Sequence, residues 1–312
     1  MKTQDFTNPE SVELRLTPWA RGTIAVVIGA LGYFLGYWLS TTFREESLVS
    51  AFWPAAGIGL SLVVLLGRGA LLGVIFGSFA ASMVIAGRPI SFSAINATGT
   101  FLTLGSAILL MGANGYFDDA RSRVGRLMTF FWVSAACAII AAAFGHLALW
   151  VANLREFSDA SLSSVFESIA RWWLGDVLGL IAIVPVVSAW RTYRATPQSR
   201  GTLAENVIVV VAVGALSYLV FHTGALETLS ADPLAFLLFP FLIIAALRYG
   251  ERTNATLLFV LTLVVAFASL KGQGPFSNGD KALQERLGWT FALFLVSAHL
   301  VSLTICAART GT

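Results

Sequence analysis

The chain has 312 residues, of which 57% are hydrophobic and only 12% are charged, and its formal net charge is +3. Soluble domains carry about 25% charged residues, so this composition excludes an ordinary soluble domain and indicates a helical membrane protein with several spans. The small positive charge does not call for a nucleic-acid partner, because its distribution over the loops accounts for it.

Apolar runs of about 15 to 25 residues recur from residue 22 onwards, and this length crosses about 30 Å of hydrocarbon. They predict an all-α transmembrane bundle with spans near 22–43, 53–67, 69–87, 90–113, 126–152, 165–190, 206–222, 233–248, 253–270 and 287–308. The second and eighth runs are short enough to be tilted or broken helices, so eight spans is an alternative to ten. The first 20 residues are polar and mixed in charge, so we expect no signal peptide before the first span.

Lysine and arginine in the short loops predict the orientation of the chain. With the N-terminus in the cytoplasm, the twenty basic residues divide into thirteen in inner loops, six in outer loops and Arg171 within a span. We therefore expect both termini in the cytoplasm. Cys137 and Cys306 fall inside spans without paired spacing, so we expect small buried side chains and neither a disulfide nor a metal site.

The sixth span contains the sequence ARWWLGDVLG, residues 170–179, in which two charged residues interrupt an apolar run. Glu167 and Arg171 are spaced i,i+4 with the acid first, which is the favourable order for an ion pair on one helix face. Arg171 is therefore either an interfacial residue paired with Glu167 or part of a functional pocket.

Asp176 lies about 11 residues, or about 16 Å, into the sixth span, in its outer half or near the midplane. A carboxylate in hydrocarbon costs at least about 2.5–3.5 kcal/mol unless it faces the bundle or a water-filled cavity. Trp172, Trp173 and Gly179 share its side of the helix by their spacing, so we expect this side to line a cavity. Two interpretations stay open, a satisfied hydrogen bond between helices and a site that binds a solute or ion.

Other polar and aromatic residues are predicted at a similar depth. Trp53 and Pro54 open the second span from outside, either as an aromatic anchor before a small-residue packing face or as a pocket wall. Asn96 and His146 lie about 6 residues from the outer ends of their spans and either join helices or bind a ligand. We expect no catalytic residue and no cofactor, and the candidate ligand-binding residues are Trp53, Pro54, Asn96, His146, Arg171, Trp172, Trp173, Asp176 and Gly179.

Three segments carry a resemblance to a known family: FWPAAGIGLSLVVLLGRGALLGVIFGSFAASM, WWLGDVLGLIAIVPVV and ALRYGERTNATLLFVLTLVVAF. They resemble, in family order, the first-type membrane-associated sensor (MASE) family of bacteria, over approximately residues 20–308. The resemblance attaches importance to Trp53, Pro54, Gly57, Asn96, Trp173, Gly175, Asp176, Gly179 and Pro185. The family often has a glutamate a few residues after the asparagine, where this chain reads NATGTF. That departure argues against a second carboxylate that pairs with Asp176.

Members of this family are integral membrane input domains that commonly precede cytoplasmic histidine kinase, PAS or diguanylate cyclase modules. The resemblance therefore implies a multi-pass protein of the bacterial inner (plasma) membrane that serves two-component or cyclic di-GMP signalling. It implies a cytoplasmic segment at 1–20, a membrane sensor domain at 21–308 and, at 309–312, the start of a linker to an output module. Besides the lipid bilayer, we expect a small ligand or membrane partner and a kinase or cyclase output as partners.

The sequence is compatible with three classes of function. The first is a sensor whose outer-half pocket binds a small solute, lipid or partner protein and relays the event through the tenth span. The second is a transporter of a small solute, which short helices and a mid-membrane acid would suit. The third is an intramembrane enzyme, but no HExxH motif, intramembrane paired-aspartate motif or Ser/His dyad motif appears, so we expect no enzymatic activity. The oligomeric state, including a homodimer, stays open.

Overall fold

The computed structural model describes residues 17–43, 52–154, 162–191, 203–222, 232–271, 273 and 281–310. Over these residues the chain forms α1 (Pro18–Thr41), α2 (Pro54–Leu66), α3 (Arg68–Val84), α4 (Ile90–Ala113), α5 (Arg123–Val151), α6 (Leu162–Arg191), α7 (Leu203–His222), α8 (Leu238–Arg248), α9 (Glu251–Leu270) and α10 (Lys281–Thr310). The described part of the chain contains no strand, and the predicted all-α bundle is confirmed. Residues 1–16 of the predicted cytoplasmic segment and residues 311–312 of the predicted linker lie outside the described residues.

Seven of the described helices are long and apolar enough to cross a membrane, judged by length and composition: α1, α4, α5, α6, α7, α9 and α10. The second and eighth segments are short, as predicted, since α2 has 13 residues and α8 has 11. A 3-10 helix over Asp232–Leu237 leads directly into α8, so the eighth segment changes helix type near its start.

Successive helices run in opposite directions, which brings the start of α1 and the end of α10 to the same end of the bundle. At this end, Gly69 at the start of α3 packs against the Gly22 carbonyl at the start of α1. Arg309 at the end of α10 donates hydrogen bonds to the carbonyls of Leu247 and Tyr249 at the end of α8. We call this end the basic end because it carries Arg21, Arg68, Arg121, Arg123, Arg126, Arg191, Arg248, Arg252 and Arg309.

Arginines at the basic end also bind the backbone carbonyls at the last turns of other helices. The final carbonyls of an α-helix have no partner within the helix, and they form the negative end of its dipole. The donor and acceptor pairs are Arg191 with Val64 of α2, Arg121 with Asn114 after α4, Arg252 with Ala189 of α6 and Arg309 with Tyr249 after α8. Each of these four helix ends is thus capped by a cation from another part of the chain.

Small residues allow α1 and α3 to pack in close contact. Gly73 and Gly77 of α3 lie so near the backbone of α1 that a Cβ atom on either would overlap the carbonyl of Val26 or Ala30. Small residues at such spacing allow helix backbones in membranes to approach and gain van der Waals contact. The α1–α3 pair therefore forms a tight unit at one side of the bundle.

Helix α6 is the central element of the bundle. It contacts α2, α5, α9 and α10, and every residue from 174 to 184 is buried. A helix that is apolar on all sides is stable only when neighbours surround it. Asp176 lies inside this buried stretch, so the fold itself holds the acid away from lipid.

Candidate functional site

A cavity of about 60 Å³ lies at the end of the bundle opposite the basic end, between α1, α2, α4, α5 and α6. We call it the outer cavity, following the predicted orientation. Its volume suits a few water molecules or a small polar group. Its walls are formed by Tyr33, Tyr37, Trp53, Ala56, Arg88, Phe92, Asn96, Thr100, Thr103, Leu104, Ala141, Leu149, Trp172 and Asp176.

Asp176 supplies the acidic side chain in the wall of the outer cavity, and only 4% of the residue is exposed. The Trp172 side chain, one turn earlier on α6, lies beside its carboxyl group in the same wall. One carboxyl oxygen, Oδ2, is buried and has no hydrogen-bond partner among the described residues. Because buried polar atoms in folded proteins are nearly always paired, this oxygen is an acceptor that a bound solute or an ordered water can satisfy.

The start of α2 fixes one wall of the cavity. The backbone N–H of Trp53 donates to the carbonyl of Gly175 in α6, at 3.0 Å, which ties α2 to the turn of α6 that carries Asp176. The Trp53 ring meets Tyr37 of α1 edge to face, with centroids 5.1 Å apart. Pro54 occupies the first turn of α2, where its missing N–H removes no helical hydrogen bond.

Helix α4 supplies a stripe of side chains to the opposite wall. Phe92, Asn96, Thr100 and Thr103 follow one another at spacings of three or four residues and therefore share one face. Asn96 donates from Nδ2 to Ser82 Oγ of α3 at 3.4 Å, which fixes its amide at the wall. This face gives the cavity hydroxyl and amide groups within reach of a polar ligand.

Aromatic rings and one cation complete the outer cavity. Five aromatic side chains line it: Tyr33, Tyr37, Trp53, Phe92 and Trp172. The guanidinium of Arg88, just before α4, lies 5.4 Å from the centre of the Phe92 ring. The cavity therefore combines one acid, one base and several π faces, which can together bind small molecules that carry polar or charged groups.

Four predicted site residues line the cavity, namely Trp53, Asn96, Trp172 and Asp176, whereas the other five lie outside its wall: Pro54, His146, Arg171, Trp173 and Gly179. His146 joins helices, because its ring nitrogens bond to the Ala142 carbonyl at 2.8 Å and to Ser168 Oγ at 3.0 Å. Trp173 donates from its indole to the Ala135 carbonyl of α5 at 2.7 Å. The expectation that Trp173 shares the cavity with Trp172 is therefore wrong.

Gly179 acts through its backbone. A Cβ atom on Gly179 would overlap the Trp53 carbonyl, and one on Gly57 would overlap the Gly179 carbonyl and lie 2.7 Å from Ile183 Cβ. These two glycines let α2 cross α6 in backbone contact. The crossing is what brings Trp53 to the same cavity as Asp176.

Arg171 pairs with Glu167 at 2.8 Å, and the two side chains are 23% and 36% exposed. Neither residue lines the outer cavity. Of the two interpretations of Arg171, the structure supports the interfacial ion pair.

Exchange of the two charges, Glu167→Arg with Arg171→Glu, is therefore expected to change the free energy of unfolding by only about 0.5 kcal/mol, since exposed i,i+4 pairs contribute about 0.3–0.5 kcal/mol. The measurement is thermal unfolding of the purified protein in detergent, with each single reversal as a control that places like charges together. A collapse of the double variant, with melting far below wild type, would show that Arg171 has a structural or binding role beyond this pair.

Sequence reasoning missed several wall residues, including Tyr33, Tyr37, Arg88, Thr100 and Thr103. Tyr33 and Tyr37 stand i,i+4 on α1, and the two threonines continue the helical spacing of Asn96 on α4. That periodicity is a usable signal, because it marks the polar face of an otherwise apolar span.

Successive helices run in opposite directions, and seven of the described ones are long and apolar enough to cross a membrane. Together with the polar cavity inside the bundle, they define a multi-pass integral membrane protein. The MASE1 family model matches residues 22–311, essentially the whole chain. The chain therefore belongs to the MASE1 family of membrane-associated sensor domains, as its motifs predict, and its role is that of a membrane sensory input domain. Neither a curated protein nor a solved structure matches the chain.

Proposed function

We propose that this domain senses a small polar solute in the outer cavity and that Asp176 is the group that binds it. The observation that supports the proposal is the unpartnered, buried Oδ2 atom of Asp176 in the cavity wall. A ligand with an N–H or O–H donor would satisfy that oxygen, and the aromatic rings would contact its apolar or cationic part. Arg88 offers a partner for an anionic group on the same ligand.

The contacts of α6 suggest how binding reaches the far end of the bundle. Near the end of α6, the Ala189 carbonyl accepts a hydrogen bond from Arg252 Nε of α9 at 3.0 Å. One turn inside α9, Asn254 and Ser302 of α10 bond to each other twice, at 2.8 and 3.2 Å, and both residues are buried. A shift of α6 on ligand binding would therefore act on α9 and α10 through fixed polar contacts.

We further propose that α10 conveys this shift to a cytoplasmic output of the histidine kinase or diguanylate cyclase type. The support is its position, since α10 ends at the basic end, where positively charged loops predict the cytoplasm. The alternative of a solute carrier differs in one respect that can be measured, because a carrier moves its ligand across the membrane and a sensor does not.

A ligand screen tests the proposal. Small amines, amino acids, polyols and carboxylates are added to the purified protein, and a ligand at 100 times its dissociation constant should stabilise it by about 2.7 kcal/mol. We expect the thermal shift to be lost in Asp176→Asn and retained in Thr262→Val, which alters a buried hydroxyl of α9 away from the cavity. A shift that survives in Asp176→Asn would contradict the assignment of Asp176. Net uptake of the same ligand by proteoliposomes would favour the carrier.

A further inference from the structure

A second and larger cavity, of about 470 Å³, opens at the basic end. The ends of α2, α6 and α10, the starts of α5 and α9, and the turn between α4 and α5 converge on it. Its volume falls in the range of about 300–1,000 Å³ that is usual for small-molecule sites. We call it the basic-end cavity.

The basic-end cavity is amphipathic. Phe130, Val184 and Leu303 line it and are at least 95% buried, so its inner part is apolar. The rest of its wall includes five charged side chains: Asp119, Arg123, Arg126, Arg191 and Glu251. Four of these form ion pairs, and all four are partly or fully exposed. A molecule that fits both parts has an apolar body and a charged group.

The charges favour an anion. Arg126 pairs with Asp119 at 2.7 Å, and Arg123 lies 3.6 Å from Glu251, so two of the three arginines have acidic partners. Within the described part of the chain, Arg191 has no acidic partner, and its Nη1 atom reaches only the Val64 carbonyl, at 3.4 Å. The remaining donors of its planar guanidinium match the oxygen geometry of a phosphate or carboxylate group.

We propose that the basic-end cavity binds an amphipathic phosphate, with Arg191 holding the phosphate group and the apolar wall holding the rest of the molecule. Two sources share this chemistry, the headgroup region of an anionic phospholipid and a soluble phosphate compound. Leu303, Cys306 and Ala307 of α10 form one wall. An occupant therefore touches the helix that leads to the C-terminus, at a site separate from the outer cavity and its ligand.

Lipid binding is measured by native mass spectrometry of the detergent-solubilised protein with phosphatidylglycerol or phosphatidylcholine. We expect selective retention of phosphatidylglycerol and a loss of about tenfold in Arg191→Gln, as for one charge-assisted hydrogen-bonded contact. The matched control is Arg248→Gln, an exposed arginine of the same end that lies outside the cavity wall and is 3.9 Å from Glu205. This control should bind phosphatidylglycerol like wild type.

A second arm separates the two sources. Inorganic pyrophosphate is titrated into lipid-free protein while its melting temperature is followed. A rise that depends on Arg191 identifies a soluble phosphate, whereas Arg191-dependent binding of phosphatidylglycerol alone identifies the lipid. The proposal is overturned if neither probe binds selectively, or if Arg191→Gln and Arg248→Gln behave alike. Both arms are independent of Asp176, so they stand or fall separately from the proposed sensing site.

Discussion

Asp176→Leu is expected to abolish the sensory response while the protein stays as stable as wild type or becomes more stable. In the wild-type protein, Asp176 Oδ2 is buried without a partner among the described residues, so only a bound solute or a water can offset the cost of burying it. Leucine removes that cost and suits the buried stretch of α6. What is lost is the polar contact of the carboxyl group with the Trp172 side chain beside it. A buried acid that the fold does not need for stability is one whose advantage lies in function.

Two measurements on the same variants decide this prediction. Melting temperature in detergent reports stability, and the output of a kinase or cyclase fused after α10 reports signalling. Asp176→Asn, which keeps the shape of the side chain, should also fold and lose or lock the output, whereas Thr262→Val should signal normally. Normal signalling by Asp176→Leu, or its failure to fold, would show that Asp176 is a structural residue.

Gly179→Ala is expected to destabilise the protein more than an ordinary overpacking substitution in a core, which costs about 1–3 kcal/mol. The added Cβ atom would overlap the Trp53 carbonyl. Backbone cannot rotate away as a side chain can, so α2 must move off α6. That movement breaks the hydrogen bond from Trp53 to Gly175 and displaces the Trp53 ring from the outer cavity.

Gly105→Ala is the matched control, because Gly105 also lies inside a helix, α4, but has no atom within 4 Å of an added Cβ. Alanine is favoured over glycine in a helix interior by about 0.5–1 kcal/mol, so this variant should melt at the wild-type temperature or above. Size-exclusion chromatography and thermal unfolding of the two variants provide the comparison. Equal behaviour would contradict the view that the α2–α6 crossing requires glycine.

The helices could be predicted from the sequence because hydrocarbon thickness sets the length of an apolar run. The predicted and observed helix boundaries differ, because turns and polar residues also determine where a helix begins and ends. The third segment was predicted to run to residue 87, but α3 ends at Val84, and the chain then turns at Gly87, whose φ is +62°. The tenth was predicted from residue 287, but α10 begins at Lys281, since polar residues can extend a helix that apolar length alone would not count.

The candidate site was only partly predictable. Asp176 stands out because a charge interrupts an apolar run, and its burial follows from energy alone. Spacing could not separate Trp172 from Trp173, since residues three and four positions away both share a helix face. Their neighbours decide: Trp172 packs over Gly145 beside the cavity, and Trp173 bonds to Ala135 of α5. Such choices depend on which helix lies alongside, which one sequence does not reveal.

The arginines that cap four helix ends have two separate roles. During membrane insertion their charge favours the cytoplasmic side, and lysine would serve equally well. In the folded bundle their guanidinium groups hold α2, α4, α6 and α8 by backbone carbonyls, and Arg309 uses two of its planar donors for this. An all-lysine version would therefore be expected to insert in the right orientation and yet hold its helix ends loosely. In the predicted orientation, membrane topology and tertiary stability therefore depend on the same side chains.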